Sequence, residues 1–282
     1  MKSDPLREQT RLWRLPGLGK LELMHASYVT QRFSRHTHEG FAVGVIEKGA
    51  LEFDYRGERL IASPGSINLA NPGEAHNGHA ATETGWTYRM FYMDTDLLRQ
   101  AASEITGHHR DIPFFQAGVI HDTRLARSIC QLHMDMEQQD ISLIEQESRM
   151  LWMLTQLILR HADPPPALRS VGQEHQAVKR TREYIRAHYD ENISIRELAR
   201  VAHLSPFHFI RVFRDETGLP PHAYLTQIRI AEAKKFLGKG WPVASVAYET
   251  GFTDQSHLTR HFKRIVGIPP GRYRNFVQDS CV

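Results

Sequence analysis

Between about residue 20 and residue 95 the apolar positions fall in short alternating or β-rich runs, among them Phe41–Ile46, Ala50–Tyr55 and Thr87–Tyr92. Turn residues separate the runs at Gly49, Arg56-Gly57, Pro64-Gly65 and Pro72-Gly73. Short runs spaced roughly ten residues apart predict a sandwich or small barrel rather than a parallel sheet with crossover helices. From Asp122 the period changes: Leu125, Ile129, Leu132 and Met136 follow the spacing of an amphipathic helix, and Met150, Leu154, Leu157 and His161 repeat it. Pro164, Pro165 and Pro166 then stop helical continuation, since proline lacks an amide donor and restricts its predecessor. The expected organisation is an N-terminal domain over residues 1–162 (β part about 20–95, helices about 122–161), a linker over 163–174 and a helical domain over 175–282. The fold class is two-domain α+β, with a β-barrel and helical pair followed by an all-α domain.

The helical domain contains an internal repeat. Ala199, Leu204, Phe209, Phe213, Gly218, Pro220, Pro221 and Tyr224 correspond to Ala247, Phe252, Leu258, Phe262, Gly267, Pro269, Pro270 and Tyr273. The offset is 48 before the central turn and 49 after it, so the second turn holds one extra residue. Each copy reads as helix, tight turn, helix: Ser194 caps the first helix and Ser205 the second, while in the second copy Pro242 opens a helix, Gly251 turns the chain and Asp254 restarts it. Two helix-turn-helix units follow, a motif that lays the start of its second helix in a DNA major groove. The helix between the copies, Pro221 to about Leu237, would set their separation; about 34 Å would let one chain read two successive grooves.

If Phe209, Val212 and Phe213 face the core, then Phe207, Ile210, Arg211 and Arg214 face outward, and the matched positions in the second copy are Ser256, Thr259, Arg260 and Lys263. An arginine at one matched position can pair bidentately with guanine, and a cation one turn later can meet phosphate. Phe207 and Ile210 would make apolar contacts, for instance to a thymine methyl, and Gln255 would take adenine.

Charge points the same way once it is divided. The chain of 282 residues has a formal net charge of +3, yet residues 171–282 carry 17 Lys/Arg against 11 Asp/Glu, leaving 18 against 21 for residues 1–170. The excess of cations therefore sits in the repeat-bearing half, as a polyanion partner requires. With 41% apolar and 24% charged residues the chain can build ordinary globular cores. The most apolar stretch, Met150–Leu159, is interrupted by Thr155 and Gln156, which excludes a membrane span. Met1–Glu8 lacks the apolar segment of a secretory signal, and Cys130 and Cys281 make no disulfide framework, so a cytoplasmic setting is expected. Cys130 lies on an amphipathic stretch, where a packed thiol is the expected reading.

The runs Ser194–Ala199 and Leu204–Phe209, and above all Gly251–Lys263 with Gly267–Arg274, resemble the C-terminal domain of the AraC/XylS family of bacterial transcription regulators. The resemblance spans about residues 175–276 and implies that both reading helices bind adjacent major grooves of double-stranded DNA. Ile210 departs from it, standing where many members carry a polar residue.

The N-terminal part resembles, less specifically, that family's cupin-type effector domain. The residues concerned are His36-Thr-His-Glu39, the turn Glu47-Lys-Gly49, Pro64-Gly65 and Asn71–Asn77. In cupin enzymes two histidines one residue apart, a glutamate a few residues on and a distant histidine bind a catalytic metal. Alternation along a strand would put His36 and His38 on one face. The glutamate is missing: its place falls at Ala42 or Val43, and Glu39 would point to the opposite face. Three imidazoles could still hold zinc, but the favoured reading is a binding pocket without metal, cofactor or catalysis. Its candidate lining is His36, His38, Glu39, His76, Trp86, Tyr88 and Tyr92. The apolar stretch Leu12–Pro16 reads as an arm that packs on another surface, and the family resemblance implies the pocket mouth or the DNA-binding domain for it.

Together these features read as a non-enzymatic transcription regulator controlled by a small-molecule effector such as an amino acid or sugar. The resemblance adds a homodimer, with RNA polymerase as a further partner. Two alternatives stay open: a metal-dependent cupin enzyme with a DNA-binding tail, and a DNA-binding regulator with no effector.

Overall fold

The computed structural model describes residues 8–15, 21–139, 141–167 and 174–279. Readings that touch Met1–Arg7, Pro16, Cys281 or linker residues 168–173 lie outside the described residues. Intrachain packing divides the described chain into two compact units, one within residues 1–138 and 150–169, the other within 139–149 and 170–282.

The first unit is built on two antiparallel sheets. The larger runs β1 (Gln9–Leu15), β2 (Leu21–Tyr28), β9 (Trp86–Met93), β4 (Phe41–Gly49), β7 (Ile67–Ala70) and β10 (Val119–Ile120) in spatial order. The smaller runs β3 (Arg32–His36), β8 (His76–Ala80), β5 (Leu51–Tyr55) and β6 (Glu58–Ala62). In β5 burial alternates, so Leu51, Phe53 and Tyr55 enter the core and Glu52 and Asp54 do not. In β4 every residue from Phe41 to Ile46 is buried, because one face meets the core shared by the two sheets and helix α2 (Thr123–Gln138) packs on the strand as well. Trp86, Tyr88 and Met90 of β9 join Phe53 and Tyr55 of β5 in that core. The Leu12–Leu15 part of the expected arm belongs to β1, which pairs with β2 through seven residues as an edge strand and leaves Leu12 59% exposed.

Helix α2 buries the expected stripe of Leu125, Ile129, Leu132 and Met136. It is also tied to the sheet by charge. Buried Arg89 of β9 donates to Glu47 of β4 at 2.9 Å and to Glu137 of α2 at 2.5 Å, and His25 of β2 lies 3.0 Å from Glu47. Burial pushes the Glu137 carboxyl up, but the Arg89 hydrogen bond and charge, with His25, hold it below its usual value. In α3 (Leu143–His161), Met150, Leu154 and Leu157 are buried, whereas His161 is half-buried and hydrogen-bonds Asp122 at 2.9 Å instead of extending the apolar stripe. Helix α1 (Thr95–Thr106), outside the expected helical region, follows the β region; Asp94 caps its start and Gly107, at φ 81°, its end.

The second unit contains α4 (His175–Ala187), α5 (Ile195–Ala202), α6 (Pro206–Thr217), α7 (Pro221–Gly238), α8 (Val243–Glu249), α9 (Gln255–Val266) and α10 (Pro270–Asp279), with the first turns of α3. The two repeat copies are the pairs α5–α6 and α8–α9. Ser194 caps α5 by accepting from the Glu197 amide at 3.2 Å, and Asp254 caps α9 by accepting from His257 at 2.7 Å. Ser205 occupies the same place before α6 but makes no side-chain cap, and Pro206 supplies a favourable first turn instead. Similarly Pro242 stands just before α8. At the second turn Gly251 has φ +72°, and a Cβ there would lie 2.6 Å from the Asp190 carbonyl and 2.9 Å from Arg229. Arg229 is buried and donates to the carbonyls of Tyr189 and Glu191 at 2.6 and 2.8 Å; burial brings its pKa down to about 10. Among the described residues no helix is long and apolar enough to cross a membrane.

Candidate nucleic-acid interface and ligand cavity

The two copies present different faces. On α9, His257, Leu258, His261 and Phe262 are buried against the core that Ile230, Ala233, Val246 and Phe252 complete. That packing leaves Gln255, Ser256, Arg260 and Lys263 exposed and Thr259 half-buried. Burial first, then the His257, Arg264 and Arg260 charges, takes the His261 pKa down to about 3, so its ring is neutral beneath the cationic face. The face combines an amide, two hydroxyls, a guanidinium and an ammonium, the groups that hydrogen-bond base edges and phosphates.

The expectation for α6 is corrected. Phe207 and Ile210 are each 1% exposed and Arg211 is 5% exposed, so none of the three lies on an open reading face; Arg214 is half-buried. The physical reason is that α6 is apolar around most of its circumference, which makes it a buried helix rather than one with a single apolar stripe. It packs against α4, α5 and α7, and His208 donates from Nε2 to Glu174 at 2.8 Å. The repeat register is the same in both copies, and Arg211 matches Arg260, but the buried Phe207 and Ile210 of α6 stand where α9 has Ser256 and Thr259.

In the first unit a cavity of about 210 Å³ lies between the sheets. His36, His38, His76, Trp86, Tyr88 and Tyr92 all line it. Glu39 does not: it is exposed in the bend that follows β3, a second correction, since the strand ends at His36 and its alternation no longer governs the residues beyond. His36 and His76 are register partners across β3 and β8, and His38 returns to them from the bend. The three ring centroids are 4.5 to 5.0 Å apart and inclined rather than stacked. Nδ1 of His36 donates to the Ser34 carbonyl at 2.8 Å, and Nδ1 of His76 to the Glu74 carbonyl at 3.0 Å. Burial, and then the neighbouring imidazoles, takes His38 down to about 4; burial also lowers His76, against the Glu74 hydrogen bond. Burial likewise raises the Tyr88 and Tyr92 phenols.

Asn68 also lines the cavity, and nothing in its sequence context singled it out. Its Oδ1 and the Trp86 Nε1 are buried without a hydrogen-bond partner among the described residues. Cys130 is half-buried, and burial, with the Glu47 charge, raises its pKa away from the thiolate form.

A β domain enclosing a cavity with polar handles, joined in one chain to two helix-turn-helix units, defines a ligand-binding, DNA-binding regulator. Residues 18–154 match the AraC-like ligand binding domain and residues 198–275 match a helix-turn-helix domain. The chain is 32% identical over 253 residues to the HTH-type transcriptional regulator YbfI of Bacillus subtilis (strain 168), spanning 90% of this chain and 91% of the relative. It is 24% identical to the arabinose operon regulatory protein of Escherichia coli (strain K12), over 84% of this chain and 80% of that protein. The DNA-binding domain of AdpA in complex with a target DNA is 28% identical and covers 37% of this chain and 95% of its own, with a TM-score of 0.36. The chain belongs to the AraC family of transcriptional regulators and is a DNA-binding regulator with an AraC-type ligand-binding domain.

Proposed function

We propose that this regulator reads its operator chiefly through α9 and is switched by a small polar metabolite, such as an amino acid or a sugar, held in the cavity between the sheets. The observation that carries the reading is the exposed face of Gln255, Ser256, Arg260 and Lys263 above a buried core, with Thr259 at its edge. Arg260 pairs with a guanine, Gln255 with an adenine and Lys263 with phosphate. Effector binding favours one arrangement of the chain over another and so shifts the population that engages DNA. The regulator acts in the cytoplasm as a homodimer through the helices of residues 122–161, touches RNA polymerase, and catalyses no reaction. His36, His38, His76, Trp86, Tyr88 and Tyr92 supply the effector contacts, together with Asn68.

Selection of bound duplexes from a randomised library by the full-length protein tests the DNA reading. Arg260→Ala is expected to cost about 1–3 kcal/mol at one base position and to relax preference there alone. Equal weakening on every sequence would remove Arg260 from base recognition.

A further inference from the structure

We infer that His36, His38 and His76 form a three-imidazole metal site for Zn²⁺ in the wall of the ligand cavity, and that the metal's open position anchors an anionic head group of the effector. One ligand nitrogen from each of the three side chains can be chosen so that all lie within 4.8 Å of one another. Three points no farther apart than that share a centre at most about 2.8 Å from each, so closing by about 0.7 Å brings all three to the 2.0–2.1 Å of a Zn–N bond.

The backbone has already chosen the tautomers. A carbonyl oxygen only accepts, so the contacts to Ser34 and Glu74 place the protons of His36 and His76 on Nδ1 and leave both Nε2 lone pairs for a cation. A ligand histidine whose other nitrogen donates to a carbonyl is the arrangement that orients imidazoles around zinc. Rings at 4.5–5.0 Å and inclined at 46–84° are not stacked on one another, so each keeps an edge for the common centre.

The donor set also defines what binds next. The cluster contains no carboxylate, so a bound divalent ion keeps its full charge. Three protein ligands leave a fourth tetrahedral position, and all three histidines line the cavity. A dipositive ion in a wall shared with Trp86, Tyr88 and Tyr92 favours a small carboxylate-bearing molecule with an apolar or ring-shaped body. This last step rests on the effector reading of the cavity; metal binding does not.

The test uses the full-length protein, stripped with chelator and dialysed. Zn²⁺ titrated against a chromophoric chelator is expected to fill one tight site per chain, and His36→Ala, His38→Ala and His76→Ala each to weaken it by at least about a hundredfold. The chain has 17 histidines, so the variants are what separate this site from scattered surface binding. Co²⁺ bound to the unaltered protein is expected to give intense tetrahedral visible bands, a readout free of any folding defect in a variant. Added acetate is expected to shift those bands by entering the open position. Absence of a tight site, equal affinity in all three variants, or weak octahedral Co²⁺ bands would each overturn the metal site. Tight binding with bands indifferent to acetate would overturn the anchoring role while leaving the metal. The effector reading stands or falls separately, on whether any small molecule stabilises the protein in either its metal-free or its Zn²⁺-loaded form.

Discussion

Replacing Phe207 by alanine separates a buried helix from a reading helix. Phe207 is 1% exposed, and a phenylalanine ring buries about 150–250 Å², worth about 4–6 kcal/mol at 25 cal/mol per Å². Phe→Ala substitutions in cores cost about 3–5 kcal/mol, so about 4 kcal/mol is expected from the second unit. With a urea dependence of about 2 kcal/mol per molar, the unfolding midpoint of that unit moves down by about 2 M. The assay is urea unfolding of the full chain followed by fluorescence and by far-ultraviolet dichroism, alongside binding to a selected operator. Ile210→Val, which removes one methylene at 1% exposure, should cost about 0.5–1.5 kcal/mol and leave base preference untouched. A Phe207→Ala protein that unfolds like the parent and changes preference at one base pair would refute the burial argument and return α6 to the DNA.

Lys263→Ala should reduce the slope of log affinity against log salt by about one unit with little change in sequence preference; an unaltered slope moves Lys263 off the phosphate. Arg89→Met leaves Glu47 and Glu137 without their shared cation and should destabilise the first unit by about 3–5 kcal/mol, partly recovered when both glutamates become glutamine; a parental melting curve would contradict this. Burial holds His222 and His261 near pKa 3 in the folded chain, against 6.5 for the ordinary group, so below pH 6.5 the unfolded chain takes up protons that the native chain refuses. Stability from these two is complete above pH 6.5 and falls by about 1.4 kcal/mol per histidine per pH unit toward pH 3. Urea midpoints that stay level from pH 7 to 5, or a His261→Gln protein with an unreduced slope, would count against it.

Local signals carried far where one covalent neighbourhood decides the outcome. Capping by Ser194 and Asp254, the turn at Gly251, the β-rich runs around Phe41–Ile46 and the stripe of α2 depend on nearby backbone geometry and period, and each is found where the pattern placed it. The repeat predicted two helix-turn-helix units because an arrangement written twice with the same glycines and prolines must fold twice the same way. Helix α1 is legible mainly at its ends, where Asp94 and Gly107 bracket it as start and stop residues.

The sequence by itself determined element type, the repeat, its basic charge and the presence of paired histidines, because period, capping and composition are properties of neighbouring residues. Only tertiary structure decided which face of each element stays open. Ser256 and Phe207 share one repeat position, yet the hydroxyl stays at the surface and the ring is buried, since burial follows what packs around a helix and not its register. Equally, His36 and His38 are near in sequence but meet His76 only because β3 pairs with β8 and the bend after β3 turns the chain back. Such long-range pairing brings three imidazoles to one point, leaves Glu39 in solvent and adds Asn68 to the same wall.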